Sequence, residues 1–75
     1  KILAAPTDSP SATVIFMVKA GSQNETPEQA GISHFLEHFV FKGTAKYPST
    51  RAVMRALDSV GAAHNAATGK EYTYY

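Results

Sequence analysis

The 75 residues carry a formal net charge of +1, are 44% hydrophobic and 17% charged, and include no cysteine. That balance excludes a disordered tail, a disulfide scaffold and a thiolate metal site, and it lacks the basic excess of a nucleic-acid module. A chain this short buries only about 60% of its unfolded surface, so part of a larger fold is expected.

Lys1 to Ala5 is a short apolar stretch, cut by Pro6 before it could act as a cleavable signal. The longest apolar run, Ala12 to Val18, is interrupted by Thr13 and falls far short of the roughly 18 residues of a membrane span. Pro6-Thr7-Asp8-Ser9-Pro10 reads as a turn. Ser11 to Ala20 reads as a strand, with Val14, Phe16 and Val18 on one face and Ile15 and Met17 on the other. Both faces are apolar, so cover on both sides is expected. Gly21 to Glu25 reads as a loop. Thr26, Pro27 and Gln29 have the pattern of a helix start with a capping box, and the helix is expected to reach Phe41 or Lys42 before Gly43. Gly31 conflicts with its interior, so either something approaches closely there or the helix starts late. A second helix is expected over Arg51 to Val60, ended by Gly61, with Val53, Met54, Leu57 and Val60 as its apolar stripe. His64 to Thr68 and Tyr72 to Tyr75 read as strands around a hairpin turn at Gly69-Lys70.

The residues that carry chemistry are His34-Phe35-Leu36-Glu37-His38. On a helix His34 and His38 lie one turn apart on one face, close enough for two imidazole nitrogens to reach one metal ion at about 2.0–2.1 Å. Glu37 lies near that face and suits a general base toward water activated by the metal. The order is H-x-x-E-H, the reverse of H-E-x-x-H. The alternative is a polar cluster on a helix, without a metal. Three such residues at fixed spacing arise by chance in roughly one chain in several hundred. The neighbours Ile32, Phe35, Leu36, Phe39, Val40 and Phe41 are apolar, and burying the three polar residues among them would cost free energy unless they paired or bound a metal.

Gly31-Ile32-Ser33-His34-Phe35-Leu36-Glu37-His38-Phe39-Val40-Phe41-Lys42-Gly43-Thr44 closely resembles the signature of the pitrilysin-type (inverzincin) zinc metallopeptidases, which include insulysin, pitrilysin and the mitochondrial processing peptidase. Val18 to Ser22 resembles the strand and turn before the family's active-site helix. Gly61 to Thr68 and Glu71 to Tyr75 resemble the strand pair after its second helix, so the likeness runs along nearly the whole chain. Phe41-Lys42-Gly43-Thr44 is closest to the processing-peptidase branch.

The resemblance implies that His34 and His38 bind Zn2+ and that Glu37 is the catalytic base. It implies a third ligand, a glutamate downstream of Tyr75; Glu71 does not stand where the family places it. It implies that the strand at Asn65, Ala66 and Ala67 borders the cleft and pairs with the substrate peptide through its backbone; an ordinary inner strand with Asn65 in a turn is the alternative. It implies a second half of the enclosure, from another domain or from a subunit of a homo- or heterodimer. Phe39 departs from the family's usual Met, a change of packing between two large apolar residues. Members that have lost activity lack the histidines or the glutamate, whereas this chain keeps all three.

His64 reads as a surface or rim residue before it reads as a ligand. Tyr72 and Tyr74 alternate with Thr73 and Tyr75, as ordinary sheet packing requires. Lys42, Arg51 and Arg55 read as a solvated helix rim. The expectation is an α+β fold with a mixed or antiparallel sheet and helices packed on it, residues 1–75 forming the N-terminal segment of one larger metallopeptidase domain. The expected function is zinc-dependent endopeptidase activity on extended or unfolded peptides in the parent protein, with the isolated segment inactive; a non-catalytic partner subunit is the alternative. No nucleic acid and no membrane span are expected. The favoured compartment is the bacterial cytoplasm, ahead of the mitochondrial matrix or the periplasm.

Overall fold

A computed structural model describes residues 1–75. Its three strands, β1 (Met17–Val18), β2 (Ala67–Thr68) and β3 (Thr73–Tyr74), form one antiparallel sheet in the order β1-β3-β2. β2 and β3 are the arms of the hairpin expected around Gly69-Lys70, whose turn is closed by the Gly69 amide donating to the Tyr72 carbonyl at 2.8 Å. Met17 and Ala67 flank Tyr74, and Val18 and Thr68 flank Thr73. Phe16 and Tyr75 exchange two backbone hydrogen bonds of 2.8 and 2.9 Å, extending the β1–β3 pairing by one residue. At the centre Thr73 is only 6% exposed, and its hydroxyl donates to the Ala20 carbonyl at 3.0 Å.

The first strand is much shorter than Ser11 to Ala20, because only its C-terminal end meets a partner strand. Nor is it covered on both faces: Phe16 is 70% exposed and Met17 65%. No hydrophobic side chain in the chain is fully buried. The radius of gyration is 14.8 Å, against about 11 Å for a compact globule of this length. The molecule is an open slab of 45 × 31 × 17 Å.

The first helix starts late. Residues Pro27–Gln29 form a separate 3-10 turn after Thr26, whose side chain makes no capping bond. Gly31 has φ of 91°, outside the range of an α-helix, and serves as the N-cap of α1 (Ile32–Phe39). The other end of α1 tightens: Phe41 and Lys42 donate to His38 and Phe39, three residues back, at 3.4 and 3.0 Å. The second helix, α2, is Thr50–Asp58, with the Ser49 hydroxyl accepting from the Ala52 amide at 3.2 Å. It ends as Gly61 predicts. Gly61 has φ of 67°, its amide donates to Asp58, and the Ala62 amide donates to Leu57, the paired bonds of a Schellman motif. Val60 therefore lies past the helix and is exposed, and does not join Val53, Met54 and Leu57.

One close approach ties the loop after β1 to the hairpin. Ser22 and Gln23 donate their amides to the Gly69 and Lys70 carbonyls at 3.1 and 3.0 Å. A Cβ on Gly21 would lie 2.4 Å from the Gly69 oxygen and 2.5 Å from that of Lys70, both backbone atoms that cannot swing aside. Gly21→Ala in the full-length protein is expected to cost about 1–3 kcal/mol of stability, read as a lowered unfolding midpoint; an unchanged midpoint would show that the hairpin turn shifts freely.

Candidate metal centre

At 100° per residue α1 divides cleanly. Ile32, Phe35, Leu36 and Phe39 fall on one side, and His34, Glu37 and His38 on the other. The apolar side is open, with Phe35 stacked on Phe39 at 5.7 Å between ring centres and 65% exposed. The polar side faces the hairpin, where α1 packs against β2.

On that side the Nε2 atoms of His34 and His38 are 3.0 Å apart. Ligand atoms of His34, Glu37 and His38 all lie within 4.8 Å of one another. Two nitrogens bound to one tetrahedral zinc at about 2.0–2.1 Å would stand about 3.3 Å apart. The observed separation is within a few tenths of an ångström of that, so the donor pair fits zinc without a change of backbone. It also equals an N–H···N hydrogen bond with one ring as donor. Both histidines are exposed and Glu37 is half-buried. The expected cost of burying the three among apolar neighbours is therefore largely absent, because the apolar residues lie on the opposite face. What the structure offers the metal reading in its place is the convergence of the His34, Glu37 and His38 ligand atoms on one side of α1.

Glu37 has a partner that the motif did not reveal: the Thr68 hydroxyl donates to its Oε2. Two openings meet at this carboxylate. One, of about 370 Å³, is lined by Ser22, Glu25, Gly31, His34, Glu37 and residues 66–68. The other, of about 320 Å³, is lined by Glu37, His38, Phe41, Met54 and residues 64–66. His64 belongs to the second opening, with its ring 5.8 Å from that of Phe41, and is not part of the cluster of ligand atoms. Glu71 lies in the hairpin turn, also outside the cluster.

β2 is an edge strand, bonded only to β3. Bonded and non-bonded pairs alternate along an antiparallel ladder. With Gly69 bonded to Tyr72, Ala67 faces β3, and the backbone groups of Thr68 turn toward the open edge. The Asn65 side chain accepts from the Ala66 amide at 2.9 Å, a local turn contact. Of the three residues expected to meet a peptide, Ala67 is engaged within the sheet, while Asn65 and Ala66 precede β2.

Sequence reading also passed over Glu25. Its Oε2 accepts from the Gly31 amide at 2.7 Å and its Oε1 from the Ser33 amide at 2.9 Å. These bonds, that of the Ser33 amide foremost, hold its carboxyl below the ordinary 4.5. An acid a few residues before a glycine-started helix was the available signal.

The sequence profile of the insulinase family (peptidase family M16) matches residues 1–75. The chain is 48% identical over 65 residues to the uncharacterized zinc protease YmxG of Bacillus subtilis, covering 87% of this chain and 16% of that protein. It is 41% identical over 64 residues to the beta subunit of the mitochondrial-processing peptidase of Dictyostelium discoideum, covering 85% of this chain and 14% of that one. The crystal structure of the first half of the periplasmic protease PqqL from Escherichia coli superposes with a TM-score of 0.74 and 31% identity, over 81% of this chain and 14% of that one. The chain spans about one-seventh of the length of these proteins.

The depressed carboxyl of Glu25 has a consequence for stability. A group whose folded value lies below its unfolded one stabilises above the unfolded value and loses that contribution as pH falls through the folded value. Denaturation of the full-length protein should therefore show stability falling as pH drops below 4.5, more steeply than in Glu25→Gln. Parallel acid limbs in the two proteins would contradict the assignment.

Proposed function

The chain belongs to the insulinase family, peptidase family M16, and we propose that it is the N-terminal segment of a zinc endopeptidase domain in which His34 and His38 hold the metal and Glu37 is the base. The observation that carries the proposal is the convergence of the His34, Glu37 and His38 ligand atoms on one side of α1. The relatives named zinc proteases support the choice of metal. Zinc in such a site lowers the pKa of water toward about 7 and polarises a carbonyl. The Thr68 hydroxyl occupies Oε2 of Glu37, leaving Oε1 to take the proton of the attacking water and deliver it to the leaving amine nitrogen. The third ligand comes from a glutamate outside these 75 residues.

The substrate is an extended or unfolded peptide. The open edge of β2 runs beside Glu37, and a peptide added there as a strand would bond to the backbone of Thr68, with Ala67 fixing the edge from within. Main-chain bonds of this kind tolerate varied side chains. A second half of the enclosure closes over the strand. The likeness to a structure described as the first half of a protease supports that arrangement.

Glu37→Gln in the full-length protein tests the reading. It should keep the zinc measured in wild type and lower peptide cleavage by roughly 100-fold or more, while His34→Ala should lose the zinc. A wild type that carries zinc and never cleaves would establish the non-catalytic partner subunit instead. A wild type without zinc would leave the two histidines a structural pair.

A further inference from the structure

We infer that Glu25 is a positioning residue for the metal pair: its carboxylate clamps the first turn of α1 and so holds His34 at chelating distance from His38. The inference rests on reading the two histidines as ligands.

An α-helix leaves its first amides without partners inside the helix. Here the N-cap is Gly31, which has no side chain to receive any of them. The first bond four residues back within the turn is from the Phe35 amide to the Gly31 carbonyl, at 2.9 Å. His34 therefore lies in the first turn, whose own amides find no partner in the helix's ladder, and α1 is only 8 residues long. Short helices fray from such ends. The relation of His34 to His38 depends on that turn staying helical, because one turn of α-helix is what places the two Nε2 atoms 3.0 Å apart.

Glu25 supplies the missing acceptor from outside the helix. One oxygen takes the Gly31 amide at 2.7 Å and the other the Ser33 amide at 2.9 Å. Two bonds to a single planar carboxylate fix both the position and the tilt of the turn, and its charge is favourable at a helix N-terminus. Ser33 immediately precedes His34 in the chain, so the second bond acts one residue from the ligand. Glu25 also lines the opening that His34 and Glu37 share. Its carboxylate is committed to backbone donors and is not offered as a ligand.

The test measures zinc affinity by chelator competition on the full-length protein, together with activity at saturating zinc. Glu25→Ala is expected to bind zinc roughly 10- to 100-fold more weakly, the range seen when a residue supporting a ligand is removed. Saturating zinc should then restore most of the turnover, which a general loss of structure would not allow. Glu25→Gln keeps the shape but offers one carbonyl oxygen for two amides, so it should fall between wild type and Glu25→Ala, and it serves if the alanine variant does not fold. Wild-type affinity in both variants would overturn the inference and leave the metal reading standing. Absence of zinc from the wild type would overturn both.

Discussion

The site depends on the pitch of one short helix. His34 and His38 converge because α1 turns once between them, and Glu37 is brought to the same side by the same turn. The pitch matters only because the opposite side of α1 is apolar and the polar side is pressed to the hairpin. There Thr68 reaches the Glu37 carboxylate from β2, and the hairpin is in turn held by the loop at Gly21. Each contact orients the next, from the β1 loop to the hairpin, from the hairpin to Glu37, and from Glu25 to the first turn of α1.

The elements that sequence reading located well are those controlled by local chemistry. Gly61 ends α2 as a left-handed glycine should, and the structure adds the Ser49 hydroxyl as the cap at its start. The hairpin follows from Gly69-Lys70 between two strand-forming runs. The proximity of His34 and His38 is legible for the same reason, since i and i+4 on a helix are neighbours whatever the rest of the fold does. Thr26, Pro27 and Gln29 misled the reading of the helix start because they do close a turn, but a 3-10 turn that Gly31 then terminates. The conflict posed by Gly31 was visible in the sequence; its resolution required the backbone angle.

What the sequence did not show is held by contacts that no helix or hairpin spacing announces, at separations of 6, 8 and 31 residues. Glu25 looks like one more polar loop residue until its two oxygens are found on Gly31 and Ser33. Thr68 looks like a strand residue until its hydroxyl meets Glu37. The expected cover on both faces of β1 failed for another reason. An apolar pattern reports that a surface needs cover, and the side chains of Phe16 and Met17 stay largely exposed within these 75 residues. An exposed apolar surface of this kind marks an interaction face, in keeping with the short share of its relatives that the chain spans.

The same contrast separates the two parts of the proposed chemistry. The ligand pair is four residues apart, and its clamp reaches back only 6 and 8 residues from Gly31 and Ser33. Within this chain the two proposed ligands and their clamp therefore lie in a continuous stretch of about fourteen residues, Glu25 to His38, while the third proposed ligand lies outside it. The proposed proton transfer rests on Glu37 being held by Thr68, 31 residues away, and on the β2 edge that would receive the peptide. Loosening the hairpin would thus remove the alignment of base and substrate while leaving the histidines where the helix puts them. Within these 75 residues, retained zinc would report on one helix and its clamp, whereas retained turnover would report on the sheet as well.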